Sequence, residues 1–247
     1  MVARAISRLA DKDGLSADLT EHMLSAVANM EDLWEGLGLC LSEDGDLLSQ
    51  WRAYTGNGSG VSIGFARQYV DWLVDTSRGT HADLELRQVE YKSDEHDKLV
   101  TPAYAELRRL LESDDEFPPG ASPHAQESND QKLVELRSRL AVLTLLKAAM
   151  HAFDGVFSLK HAAFSEEKEW RLLHTYGLQP TDPCLYRAVE RGIVPYKVCQ
   201  LRNSGQSPIA EVVLGPRHTT PVPVVENYLA QHGFADVKVR QSLAPYR

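Results

Sequence analysis

Two carboxylates and a guanidinium stand close together in Glu167-x-Glu169-Trp170-Arg171, within the stretch Phe164-Ser-Glu-Glu-Lys-Glu-Trp-Arg-Leu-Leu173. Read as a β-strand, this spacing puts Glu167, Glu169 and Arg171 on one face and Trp170 and Leu172 on the other, with same-face neighbours about 6.6 Å apart. Two acids so placed repel and raise the proton affinity of one of them, unless Arg171 or Lys160 neutralises the pair. A carboxylate held beside a sugar ring can bind a hydroxyl and stabilise an oxocarbenium-like transition state. The same residues can equally form an ion pair on a solvated sheet face, worth under about 1 kcal/mol.

Trp51-Arg52-Ala53-Tyr54 is the second cluster. An arginine beside two aromatic rings can hold a phosphate or carboxylate while the rings stack on a flat ligand. Its structural alternative is a helix that packs Trp51 into the core with Arg52 tied to Asp44 or Asp46. The turn Gly56-Asn-Gly-Ser-Gly60 has the composition of an anion cradle, but it leads into a strand and reads as a plain turn. The nine histidines are scattered. His151, His161 and His174 would meet only if their helix and strand packed suitably, and no metal site is expected. No P-loop, dinucleotide fingerprint, zinc-protease or nucleophile-elbow motif occurs.

These residues need a frame, and the periodicities supply one. Helical spacing over 17–35 is followed by an apolar strand at 37–41, a short helix at 47–54 and a strand at 61–65. A helix near 66–76, a strand over 84–91 and helices over 94–112 and 130–152 come next, the last two separated by an acidic, proline-rich loop at 112–130. The final third turns to strands at 169–176, 185–190, 192–201 and 209–214, then a helix opened by Pro223 and ended by Gly233, then a strand over 237–241. Helices interrupt strands irregularly and late strands follow one another by short turns. The expected architecture is therefore one α+β domain over 1–247, opening with a helical segment (1–36), with a mixed, mostly antiparallel sheet.

Composition narrows the classes of function. The 247 residues are 43% hydrophobic and 25% charged, ordinary for a globular protein. The apolar runs fall far short of the roughly 20 residues that span a bilayer, and the first residues lack a signal-peptide core, so a cytoplasmic protein without a membrane partner is expected. A net charge of −9 does not attract nucleic acid. Arg187, Arg191, Lys197 and Arg202 form a local basic exception, a phosphate-binding rim or scattered solvated charges. Cys40, Cys184 and Cys199 sit in apolar, strand-like contexts and read as buried thiols.

Several blocks in fixed order resemble an uncharacterised bacterial family, number 2971 of the domains of unknown function. They are Cys40 to Tyr54, Gly60 to Phe65, Lys160 to Arg171, Ile193 to Tyr196, Ile209 to Pro216 and Ser242 to Arg247. The resemblance runs from about residue 37 onward and leaves the acidic loop outside it. The family's opening strand, similar to Leu-Tyr-His-Tyr-Thr, and its Asn-Asp-Pro motif have no counterpart before residue 37. Its late Glu-x-Glu is similar to that of ADP-ribosyltransferases. That resemblance implies NAD as a substrate, Glu169 as the catalytic carboxylate and Glu167 as its accessory. It also implies Arg52 on the pyrophosphate and Tyr54 against nicotinamide, with Trp51 and Arg171 completing a cleft and no metal. The protein acceptor is left unnamed. The alternatives are a non-catalytic binding or interaction module, as in a stress or phage-defence system, and a metal-dependent phosphodiester-cleaving enzyme.

Overall fold

Small and apolar residues at Val2, Ala5, Ile6 and Ala10 recur every three or four positions, and they are the buried stripe of the first helix. The computed structural model describes residues 1–31, 34–79, 84–112, 157–177, 184–201, 205 and 207–246. The helix expected over 130–152, nearly all of the acidic loop and His151 lie outside them.

The chain divides into two compact units. The first takes in Met1–Glu35, Val89–Phe164 and Tyr176–Leu178. Here α1 (Val2–Asp13), α2 (Ala17–Glu31) and α5 (Ser93–Glu112) pack on one another around Ile6, Met23, Leu107, Val100 and Leu159. The buried Tyr104 donates its hydroxyl to Asp13, which also accepts from Arg108, so the polar tip of the ring is satisfied where its body is dry.

The second unit takes in Gly36–Gln88, Ser165–Thr175 and Gln179–Arg247. Its elements are β1 (Trp34–Ser42, beginning two residues before the unit), α3 (Leu48–Tyr54), β2 (Val61–Phe65), α4 (Arg67–Ser77), β3 (Glu85–Gln88), β4 (Glu169–Gly177), β5 (Leu185–Val189), β6 (Gly192–Tyr196), β7 (Ile209–Leu214), α6 (Val222–Gln231) and β8 (Lys238–Gln241). Three sheets run in the orders β1-β4-β3, β2-β7-β8 and β5-β6. The β2–β7, β3–β4 and β5–β6 pairs are antiparallel and β7–β8 is parallel, so the fold is the mixed, mostly antiparallel α+β class that the sequence implies.

Position within a sheet explains burial. As the middle strand of its sheet, β7 buries Val212, Val213 and Leu214 in succession, where a strand covered on one face would alternate. Val212 and Leu214 join Val237 and the α6 residues Val225 and Leu229 in one apolar cluster. Leu172 of β4 and Leu86 of β3 pack with Tyr69, Val70 and Leu73 of α4.

Gly215, just past β7, lies against the glycine-rich turn, where its N–H donates to the Gly60 carbonyl at 2.9 Å. A Cβ at this position would stand 2.4 Å from the Gly58 carbonyl oxygen and 2.9 Å from that of Gly60. Both obstacles are backbone. Gly215→Ala is expected to destabilise the protein by about 2 kcal/mol through forced backbone displacement. A lowered urea midpoint with an unchanged slope is the measurement that checks it.

Candidate functional site

The backbone ahead of β4 decides what the acid pair can do. Ala162–Glu167 form a 3-10 helix, Lys168 adopts φ 43°, and only at Glu169 does the strand begin. A residue in the left-handed region interrupts the extended backbone that same-face alignment requires. Glu167 therefore belongs to the turn, and the expected wall of two carboxylates on one strand face is corrected to a single strand carboxylate. The turn is tied to the end of β1: Ser42 Oγ donates to the Glu167 carbonyl at 2.8 Å, and the Glu43 N–H to the Lys168 carbonyl at 3.1 Å.

Glu169 is 4% exposed. Arg171, two residues on along the same strand face, donates to it from Nε at 2.8 Å and from Nη2 at 3.3 Å, a two-point clamp on both carboxylate oxygens. The antiparallel register sets Arg87 of β3 directly opposite Arg171. Arg87 Nε in turn donates to Glu85 Oε2 at 2.7 Å. Two guanidiniums facing each other across a ladder repel, and each is offset by an acid two positions away on its own strand. On the other face, the Trp170 indole N–H donates to Glu43 Oε1 at 2.8 Å, and Arg67 stands 4.6 Å from the centre of the Trp170 ring.

A cleft of about 600 Å³ runs between α4 and β3, lined by Arg67, Asp71, Asp75, Arg78, Glu85 and Arg87 among others. Its charges are internally matched as Arg67–Asp71, Arg78–Asp75 and Arg87–Glu85. Neither Glu169 nor Arg52 lines it.

The second cluster divides. Trp51 is 2% exposed and its indole N–H donates to Asp46 Oδ1 at 2.8 Å, so it is a core residue and not a stacking surface for a ligand. Tyr54 is 75% exposed. Arg52 is exposed, and its guanidinium lies over the Tyr246 ring, 5.9 Å from the centroid. Of the two partners expected for Arg52, Asp44 Oδ1 accepts from the Asp46 N–H at 3.0 Å, and Asp46 is engaged elsewhere. Besides Trp51 it accepts from Ser242 Oγ, from the Leu243 N–H at 2.7 Å and from Arg240 Nη1 at 3.1 Å. Burial pushes the Asp46 carboxyl up, but the hydrogen bonds from Ser242, Leu243, Trp51 and Arg240 outweigh it and hold the group below the usual carboxylate range.

Sequence reasoning missed Asp46 as an anchor, and it missed Arg217 and Tyr246 as neighbours of Arg52. The available signal was the block Ser242 to Arg247, whose resemblance carried no assigned role. Among the described residues no group of three or more His, Cys, Asp or Glu is arranged to hold a metal ion. His174 is buried and accepts from Lys197 Nζ at 3.0 Å. His161 is exposed, and its Nδ1 accepts from the Ala163 N–H at 3.1 Å. Cys40 and Cys199 are exposed and Cys184 is half-buried, which corrects the expectation of buried thiols; only Cys40 lies in a strand, and Cys184 and Cys199 fall outside β5 and β6. Of the basic group, Arg187 and Arg191 are exposed, Lys197 is half-buried against His174, and Arg202 lies outside the described residues.

No helix among the described residues is long and apolar enough to cross a membrane. Residues 50–172 match a family described as "Protein of unknown function (DUF2971)". The match includes both Trp51–Tyr54 and Glu169–Arg171, and it excludes the resembling blocks beyond Arg171. No curated protein and no solved structure matches the chain.

Proposed function

Given a chain whose residues 50–172 match the DUF2971 family of proteins of unknown function, we propose that it is a non-catalytic binding module whose Glu169–Arg171 pair is part of the frame. One observation carries this reading. Glu169 is 4% exposed, and both its oxygens accept from one guanidinium. A carboxylate that stabilises a developing sugar cation has to meet the sugar, and its charge has to be available to the transition state. Here burial limits the first and Arg171 cancels much of the second.

A second reading, cleavage of the NAD glycosidic bond with or without ADP-ribosyl transfer, is favoured by a different aspect of the same pair. The bidentate clamp fixes the orientation of an ionised carboxylate. A carboxylate held in a fixed orientation is placed to meet a ribose hydroxyl without reorganising. On this reading Glu169 is the catalytic carboxylate, with Arg171, Arg52 and Tyr54 binding the dinucleotide.

Incubation with NAD, following nicotinamide release, separates the two. The module reading expects no release above the buffer control, and Glu169→Gln then changes only the melting temperature. Release by the parent chain that disappears in a folded Glu169→Gln variant would establish the enzyme reading instead.

A further inference from the structure

Three remote segments converge beside the glycine-rich turn. Arg52 comes from the last turn of α3, Arg217 follows β7, and Tyr246 follows β8. Two backbone bonds draw the segment after β7 to the turn: Gly215 N–H to the Gly60 carbonyl and Arg217 N–H to the Gly58 carbonyl, both at 2.9 Å. Tyr246 is fixed there too. Its hydroxyl donates to Asn57 Oδ1, and its ring is so close that a Cβ on Gly58 would stand 3.0 Å from it.

The outcome is two guanidiniums around one phenol ring, Arg52 at 5.9 Å and Arg217 at 6.0 Å from its centroid. Both arginines are exposed. Among the described residues, Arg67, Arg87, Arg171 and Arg240 of the same unit each hold a carboxylate, whereas Arg52 and Arg217 have none within ion-pair distance. Each guanidinium lies about 6 Å from the same ring centre, and an anion with two negative centres offers each of them a partner. The planar guanidinium fork matches phosphate oxygens in pairs. With a net charge of −9, the chain's overall field opposes a long polyanion, so a compact phosphate ligand suits this cationic spot better than nucleic acid.

We propose that Arg52 and Arg217, gathered beside Tyr246, bind the pyrophosphate group of a small phosphorylated ligand. The site goes beyond the binding-module reading and stands whether or not Glu169 is catalytic, since none of its residues is part of the Glu169–Arg171 pair.

Isothermal titration of the full chain with inorganic pyrophosphate at low ionic strength tests it. Saturable one-to-one binding is expected, weakened about tenfold or more by Arg52→Gln and again by Arg217→Gln, the loss that one charge-assisted contact represents. Arg217→Lys is expected to recover only part of the affinity, because an ammonium has charge without the fork. Both positions are exposed, so a melting curve should show the variants folded. Tighter binding of ADP than of pyrophosphate would mark a nucleotide as the ligand; equal binding would mark the phosphates alone. Absence of saturable binding, or binding that both glutamine variants retain, overturns the proposal. Nicotinamide release in the NAD assay would overturn the module reading and leave this one untouched.

Discussion

Asp46→Ala is expected to cost about 3 kcal/mol of unfolding free energy, because it leaves several donors without their shared acceptor. The Asp46 side chain is only 12% exposed and accepts from Trp51, Ser242, Leu243 and Arg240. The indole N–H of Trp51 is buried, and alanine offers it nothing. Asp46→Asn, which keeps one good acceptor oxygen, should fall between the parent and the alanine variant. The effect also has a pH signature. A carboxyl held below its ordinary value contributes stability that is fully present above the unfolded-state value of about 3.9 and is lost as pH falls through the folded one. The difference in stability between the parent chain and Asp46→Ala should therefore be flat above about pH 5 and shrink in acid. A series of urea titrations between pH 2 and pH 7 measures this; a difference that grows as the pH falls would contradict the assignment.

The Glu169–Arg171 pair should behave in the opposite way under double substitution. Glu169→Ala alone is expected to cost about 3 kcal/mol. It removes the Glu169 carboxylate from Arg171, whose side chain is 20% exposed and which faces Arg87 across the ladder. Glu169→Leu combined with Arg171→Met removes both charges and keeps the volume, and it should cost less than the single change, as buried ion pairs replaced by apolar residues often do. Chemical denaturation of the parent chain and the two variants measures the difference. A double variant less stable than Glu169→Ala would mean that the ionic pair itself, and not relief of a stranded charge, supplies the stability.

Local signals in the sequence were enough for most elements. Val61–Phe65 is the strand its alternation implies, and Pro223 and Gly233 bracket α6 as a helix-opening proline and a helix-ending glycine do. What failed was whatever depended on partners far away in the chain or on an unusual backbone conformation. Nothing in a lysine announces φ 43°, so Glu167 looked continuous with the strand it precedes. Trp51 had a local acceptor five residues back, and its burial was one of two open readings. Ser242, which bonds the same carboxylate, is 196 residues distant, and no periodicity points to it. The opposition of Arg87 and Arg171 likewise rests on strand register, which pairs residues by turn geometry and packing rather than by anything visible along one segment. For the candidate ligand site, one arginine of the two was legible, because only Arg52 had aromatic neighbours in sequence.

The bonds from Asp46 to Ser242 and Leu243 also bear on synthesis. A ribosome releases residue 46 long before it makes residue 243, and the parallel β8 has to join β7 after α6 has formed. The second unit thus cannot close co-translationally until nearly its whole sequence has emerged, whereas local helices such as α1 can form early. Over that interval a nascent chain leaves β7 without its β8 neighbour, an unpaired edge that another strand can join.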